Sequence, residues 1–147
     1  MRTVYNSFWS KFIKYCEQNN SVFSRIAIPS GAYMSKTINK VRVDLCAYKS
    51  TKRCKFPIRV EVYFTGRRKE DHNKDFEFFF QHKSEIEKDL GFSLVWPKEN
   101  LNVKSRKIYY SAHQLKFGED DDSIFEFFNT YGSKILQVFG QYREMYF

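Results

Sequence analysis

Cysteine and glycine are scarce in this chain of 147 residues, and each scarcity excludes a kind of site. The three cysteines, Cys16, Cys46 and Cys54, are widely spaced, and none has a neighbour at the spacing of metal ligands. An odd count of this kind is typical of a reduced, cytoplasmic protein, although the sequence leaves open whether Cys46 and Cys54 pair across a hairpin. The six glycines stand singly, so the chain has no phosphate-binding loop, dinucleotide-binding turn or nucleophile elbow.

Histidine clusters and long apolar runs are missing as well. None of the three histidines, His72, His82 and His113, has the neighbouring His or Cys that a zinc site needs. No run approaches the roughly 18 apolar residues that would span a membrane, and residues 1–15 are a poor secretory signal. We therefore expect neither a cofactor nor a membrane as a partner.

Aromatic residues, in contrast, are abundant. The chain has 16 Phe and 10 Tyr, and 42% of its residues are hydrophobic, which is enough to build a core and too apolar for disorder. Most of these rings are expected to fill the interior in place of Leu and Ile. Some exposed Tyr side chains remain candidates for stacking on nucleic-acid bases.

The net charge of the chain lies in one quarter of its length. Residues 36–74 hold twelve Lys and Arg and four Asp and Glu, and the difference of +8 equals the net charge of the whole chain. A basic region raises the local concentration of anions, and nucleic acid is the commonest anionic partner of such regions. We therefore expect nucleic acid as the partner.

The pattern of apolar residues predicts an α+β domain. In residues 40–48 and 56–65 apolar and polar residues alternate strictly, which predicts two strands of an antiparallel hairpin whose tip is the basic segment 49–55. Apolar residues three or four positions apart predict helices from Val4 to Asn19 and over 75–90, and the acidic run 119–122 should begin a last helix. Further strands are predicted at 92–96, at 107–112 and, on weaker alternation, at 32–38.

These elements predict the order α-β-β-(β)-α-β-β-α in a single domain over residues 1–147, with a mainly antiparallel sheet and helices packed on one face. Gly91 should end the second helix. That helix is expected to bury apolar side chains against the hairpin, and the predicted contacts are Phe79, Ile86 and Leu90 with Val41, Val43, Ile58, Val60 and Val62.

Four segments carry a resemblance to a family: Phe8-Trp9, 58–64, 79–96 and 105–108. Together they resemble the bacterial domain of unknown function numbered 4268, over nearly the whole chain. The resemblance implies an uncharacterised module that occurs alone or attached to nuclease-like regions in bacteria and mobile elements, with no agreed activity. This chain differs from the family pattern in its longer, more basic hairpin loop and in the acidic run 119–122.

The predicted nucleic-acid-binding residues cluster on the hairpin. Lys40, Arg42 and Arg59 should lie on the outward face of its strands, with Tyr48 and Tyr63 beside them as stacking surfaces. The other predicted contacts are the basic residues of the hairpin tip and of the loop that follows the second strand: Lys49, Lys52, Arg53, Lys55, Arg67, Arg68 and Lys69. The alternative is a solvated loop above cross-strand ion pairs that join Arg42 or Arg59 to Asp44 or Glu61.

Asp44 and Glu61 also project outward, as two metal-binding carboxylates do in nucleases of the PD-(D/E)XK type. Such an enzyme needs a Lys two positions after the Glu, where this chain has Tyr63. Arg42 and Arg59 on the same face should neutralise both carboxylates. We therefore expect no catalytic residue and no metal site.

The sequence thus favours a non-enzymatic module whose basic β-hairpin contacts nucleic acid with little sequence preference. Two alternatives stay open. One is a protein-interaction module that docks on an acidic partner surface, for example in phage or mobile-element defence. The other is a degenerate nuclease. The sequence does not distinguish DNA from RNA, and it does not determine the oligomeric state.

Overall fold

The computed structural model describes residues 2–50, 52, 56–65, 69–97 and 105–146. Within these ranges it contains one four-stranded antiparallel sheet and five α-helices, so the predicted α+β class is confirmed. The strands are β1 (Tyr33–Ile38), β2 (Val41–Ala47), β3 (Ile58–Thr65) and β4 (Ser105–Ser111). The helices are α1 (Arg2–Gln18), α2 (Lys69–Gln81), α3 (Lys83–Leu90), α4 (Asp121–Phe127) and α5 (Ser133–Tyr146), and a π-helical turn (Phe128–Gly132) joins the last two.

The four strands form a meander in the order β1-β2-β3-β4. The predicted hairpin is confirmed, because β2 pairs with β3 and Asp44 lies directly opposite Glu61. The weaker strand prediction is also confirmed, since β1 pairs with β2 through a tight turn at Asn39 and Lys40, both with positive φ (52° and 62°). The prediction that β2 begins at Lys40 was wrong, because that residue belongs to the turn.

The helix predicted at 75–90 is two helices and begins earlier. Helix α2 starts at Lys69, where the charged residues carry no apolar periodicity that would have revealed it. The helix is interrupted at His82, which separates α2 from α3. Helix α3 ends at Gly91, as predicted: this residue has a left-handed φ of 86° and donates its N–H to the Glu87 carbonyl at 2.9 Å.

The strand predicted at 92–96 is only a single bridge between Val95 and Tyr109. The Leu94 N–H and the Trp96 ring N–H both donate to the Glu87 carboxylate, at 2.6 and 3.2 Å. Val95 and Tyr109 exchange both backbone hydrogen bonds, at 2.8 and 3.1 Å, and the ladder stops there because Pro97, at the next pairing position, has no N–H to donate.

Aromatic rings fill the core between the helices and one face of the sheet. Trp9 of α1 stacks on Phe128 of the π-helical turn at 5.8 Å between ring centroids. Phe79 of α2 packs against Phe64 of β3 and Phe139 of α5, at 5.7 and 5.0 Å. The side chains predicted to form the core are all buried: Val41, Val43, Ile58, Val60, Val62, Phe79, Ile86 and Leu90.

The acidic run starts a helix, as predicted. The Asp120 carboxylate accepts the Ser123 backbone N–H at 3.1 Å and the Ser123 hydroxyl at 2.7 Å, so Asp120 caps α4. These hydrogen bonds lower the pKa of Asp120. Across the described ranges, no helix combines the length and the apolar character that crossing a bilayer would require.

Candidate functional site on the open sheet face

One face of the sheet is left without helices in the part of the chain that the structure describes. The apolar side chains of the strands point to the core, and the helices are joined to that side through contacts such as Trp9 with Phe128 and Phe79 with Phe64. Strand alternation sends every second side chain to the opposite side. We call this side the open face, and it consists of Tyr33, Ser35, Thr37, Arg42, Asp44, Cys46, Arg59, Glu61, Tyr63, Lys107, Tyr109 and Ser111.

Two buried carboxylates lie at the centre of the open face. Asp44 and Glu61 are directly opposite each other on β2 and β3, and only 4% and 2% of their surfaces are exposed. Like charges at opposed positions repel, and burial removes the water that would screen them. Two carboxylates at these positions therefore need cationic partners nearby.

The partner of Asp44 is Arg42 on the same strand. Its Nε and Nη2 bond to the two carboxylate oxygens at 2.8 and 3.1 Å, and the Ser35 hydroxyl donates a third hydrogen bond at 2.7 Å. This two-point geometry is the strongest form of an Arg–carboxylate pair. The hydrogen bond to Asp44 raises the pKa of Arg42.

Within the described part of the chain, Glu61 has two cationic partners. The Arg59 Nε bonds to Glu61 Oε1 at 2.7 Å, and the Lys107 ammonium of β4 lies 3.6 Å from the same oxygen. The predicted alternative of ion pairs between Arg42 or Arg59 and these acids is thus present, although each Arg pairs two positions along its own strand rather than across strands. The expected neutralisation of both carboxylates agrees with this geometry.

Tyrosine rings pack beside the two arginines. The Arg42 guanidinium lies 4.5 Å from the centroid of the Tyr63 ring and 5.8 Å from that of Tyr33. Arg59 lies 4.2 Å from the centroid of Tyr109. A guanidinium at this distance from a ring is attracted by the negative π face, so each Arg is held by a carboxylate and an aromatic ring together.

The charge that this face presents to solvent is therefore positive. The acids are inside, while the Lys107 and Arg42 side chains are 39% and 30% exposed. An anion that approaches the open face meets these cations before it meets a carboxylate.

The Cys46 thiol and the Tyr48 phenol, at the end of β2 and just after it, are neutral at ordinary pH. Burial, with smaller contributions from Glu61 and Asp44, raises the pKa of Cys46. Burial also raises the pKa of the half-buried Tyr48, which follows β2. Cys46 carries no disulfide, and Cys54 lies outside the described residues.

The other predicted contact residues lie at the two ends of the open face. Lys40 is exposed in the β1–β2 turn. Lys49 and Lys52 are exposed at the opposite end of β2, where the Lys49 N–H donates to the Tyr5 hydroxyl at 3.1 Å. Lys69 begins α2. Arg53, Lys55, Arg67 and Arg68 lie outside the described residues.

The structure also brings residues to the open face that the sequence did not single out. Tyr33 of β1 and both Lys107 and Tyr109 of β4 lie beside the predicted hairpin residues, with Lys107 directly opposite Tyr63. Their alternation within each strand was readable, but the pairing of β4 with β3 was not. Over the described ranges, no three His, Cys, Asp or Glu side chains converge as metal ligands would.

The chain belongs to the family described as a domain of unknown function, DUF4268, whose family model matches residues 4–143. The resemblance seen in the sequence is thereby confirmed. Neither a curated protein nor a solved structure matches the chain. The family description names no activity, so the function has to follow from the residues of the open face.

Proposed function

We propose that this protein is a non-catalytic module that binds nucleic acid through the open face and the basic hairpin, with little sequence preference. The observation that carries this proposal is the distribution of charge. The acids of the open face are buried and paired, its cations reach solvent, and exposed lysines lie at both ends of β2. Such a surface suits a phosphate backbone, which is read by charge and not by sequence.

The lysines carry the phosphate contacts in this proposal. Arg42 and Arg59 are already bonded to carboxylates, so their first role is to keep the open face ordered and neutral at its centre. Lys40, Lys49 and Lys52 are exposed at the two ends of β2, and the Lys107 side chain, which also pairs with Glu61 at 3.6 Å, is 39% exposed, so these four ammonium groups can reach phosphate oxygens. A Lys–phosphate contact needs no fixed geometry, which agrees with weak sequence preference.

Salt dependence tests the proposal directly. If roughly four to six phosphates are contacted, the slope of log K against log salt concentration for duplex DNA should be about −4 to −5. The measurement is fluorescence anisotropy of a labelled oligonucleotide, titrated with protein between about 50 and 200 mM salt. A slope near zero, or no binding at the lowest salt, would contradict the proposal.

Two triple variants with equal changes in net charge distinguish binding by the hairpin from a general effect of positive charge. Replacing Lys52, Arg53 and Lys55 with Ala should weaken binding and make the salt slope shallower by up to about three, because each lost phosphate contact removes about one unit. The control replaces Lys14, Lys88 and Lys134, which are exposed on α1, α3 and α5. Equal losses in both variants would show that only net charge matters and would remove the hairpin from the interface.

A further inference from the structure

Three tyrosines from three different strands lie on the open face. Tyr33, Tyr63 and Tyr109 come from β1, β3 and β4, so their rings are distributed across the sheet and not along one strand. Tyr33 is 49% exposed, and Tyr63 and Tyr109 are half-buried, so each retains contact with solvent. Partly exposed aromatic rings grouped on one face mark a candidate interaction site.

The arginines fix these rings in place. Arg42 contacts both Tyr33 and Tyr63, Arg59 contacts Tyr109, and both guanidinium groups are themselves bonded to buried carboxylates. The rings are therefore ordered before any ligand arrives. A ligand that stacks on an ordered ring does not have to order it on binding, so more of the stacking energy appears as affinity.

We propose that the open face is a base-stacking platform that selects single-stranded over double-stranded nucleic acid. This inference rests on the proposed function and names its substrate class. Bases in a duplex are stacked on one another, and their faces are not available to a protein ring. Bases in a single strand are available, and base–aromatic stacking is tolerant of sequence because every base has a π face.

The charges around the rings suit the same ligand. Lys107 lies on the open face in line with Tyr63, and the exposed lysines of the β1–β2 turn and of the β2–β3 loop lie at its two ends. A strand whose bases lie on the rings therefore has cations within reach of its phosphates. The buried, paired state of Asp44 and Glu61 removes the repulsion that exposed carboxylates on this face would cause.

The test compares the binding of single strands and of a duplex. The variants distinguish the effect of the aromatic ring from that of an apolar side chain of similar size. The probes are oligo-dT, oligo-rU and a DNA hairpin duplex, each of about 15 nucleotides per strand. The variants are Tyr63→Leu and Tyr109→Leu, which remove the π system, and Tyr63→Phe and Tyr109→Phe, which keep it. The control is Tyr146→Leu on α5, which removes a ring as exposed (50%) as that of Tyr33 but outside the open face.

The expected result is tighter binding of at least one single strand than of the duplex at the same salt concentration. Each Leu variant should weaken single-strand binding about 5- to 100-fold and weaken duplex binding by a smaller factor. The Phe variants and Tyr146→Leu should bind as the unchanged protein does. The preference between oligo-dT and oligo-rU shows whether DNA or RNA is the better ligand.

Two results would overturn the inference, and they are distinguishable. Equal affinity for single strands and duplex, with no effect of the Leu variants, would overturn the stacking platform and leave the proposed function in place. No binding of any probe would overturn both, and binding of a poly-Glu peptide under the same conditions would then identify the surface as a protein-docking site. Circular dichroism of each Leu variant ensures that a loss of binding is not a loss of fold.

Discussion

At the scale of single residues, the position of Gly132 shows how tightly the core closes on the sheet. A Cβ atom at this position would lie 2.9 Å from Leu45 Cδ2 and 3.0 Å from the Phe23 ring. Both neighbours are fully buried, so neither can move aside into solvent. Gly132 also ends the π-helical turn, and the close approach of that turn to β2 is possible only without a side chain.

We therefore expect Gly132→Ala to destabilise the protein by about 1–3 kcal/mol, as overpacking of a rigid core does. Gly140→Ala is the matched control within α5, because its nearest neighbour, Asn39 Nδ2, would lie at an ordinary 3.7 Å. The control should be neutral or stabilising by up to about 1 kcal/mol, since Ala favours a helix over Gly. Urea unfolding of both variants is the measurement, and equal effects would contradict the packing described here.

The thiol of Cys16 makes stability depend on pH in the alkaline range. Burial is the main cause that raises the pKa of Cys16 from 9.0 to about 11. The unfolded chain then ionises this thiol before the folded protein does, so the stabilisation is fully present below pH 9 and is lost as the pH rises toward 11.

We expect the urea midpoint to fall between pH 8 and pH 10, and to fall less in Cys16→Ala. The variant should be less stable at both pH values because it leaves a cavity, so the difference between the two pH values is the informative quantity. The raised pKa of other groups, such as Tyr142 at about 12, contributes equally to both proteins. The same loss of midpoint in both would exclude Cys16 as a cause.

At the scale of elements, β2 and β3 are joined by their backbone ladder and by the contact of Arg42 with the Tyr63 ring, while their ion pairs lie within each strand. Their centre holds two opposed carboxylates, each bonded to an Arg two positions along the same strand. A buried pair of this kind contributes little compared with apolar residues of similar shape, but removing one partner leaves a buried charge without compensation. Replacing one member of an ion pair should therefore destabilise the protein, whereas replacing both members together with apolar residues should have a small effect.

Arg59→Met should cost about 3–5 kcal/mol, because among the described residues it leaves Glu61 buried with Lys107, 3.6 Å away, as its remaining cationic partner. Lys107→Met should cost less than about 1 kcal/mol, because that ammonium is exposed and lies 3.6 Å from the carboxylate. The double variant Arg59→Met with Glu61→Met should recover most of the loss. Thermal or urea unfolding distinguishes these cases, and a mild effect of Arg59→Met alone would contradict the burial of Glu61.

At the scale of the whole molecule, the basic region of the sequence becomes a surface with its acids hidden. The two acids of the strands are inside the sheet face, and the cations of the same strands lie above them or at the strand ends. The arrangement resembles that of a metal-dependent nuclease only in having two carboxylates on neighbouring strands. Each carboxylate is bonded to Arg, and a metal ion would have to displace that Arg in order to bind.

We therefore expect purified protein to cleave neither single-stranded nor duplex DNA or RNA in the presence of Mg²⁺ or Mn²⁺. The measurement is gel electrophoresis of labelled substrates, with Asp44→Asn and Glu61→Gln as matched variants that keep the side-chain shape. Cleavage that depends on metal and disappears in both variants would replace the binding module with a nuclease.

The sequence by itself determined much of this protein. Strict alternation identified β2 and β3 and the side chains that leave the core, since a period of two assigns each residue to one of two faces. Apolar residues at helical spacing identified the buried positions of α2 and α3, and the acidic run located the start of α4. Each of these features depends on residues that are close together in the sequence, so it can be predicted without knowing the tertiary contacts.

Only the tertiary structure decided which residues share the open face. Alternation assigns Tyr33, Lys107 and Tyr109 to one side of their own strands, but their neighbours depend on strand order and register over long distances in sequence. That Val95 alone pairs with Tyr109, in place of a strand over 92–96, was likewise visible only in the folded chain. The sequence shows the charges of Arg42 and Arg59. Their ion pairs with Asp44 and Glu61 follow from the folded sheet, because burial of the two carboxylates makes a cationic partner necessary.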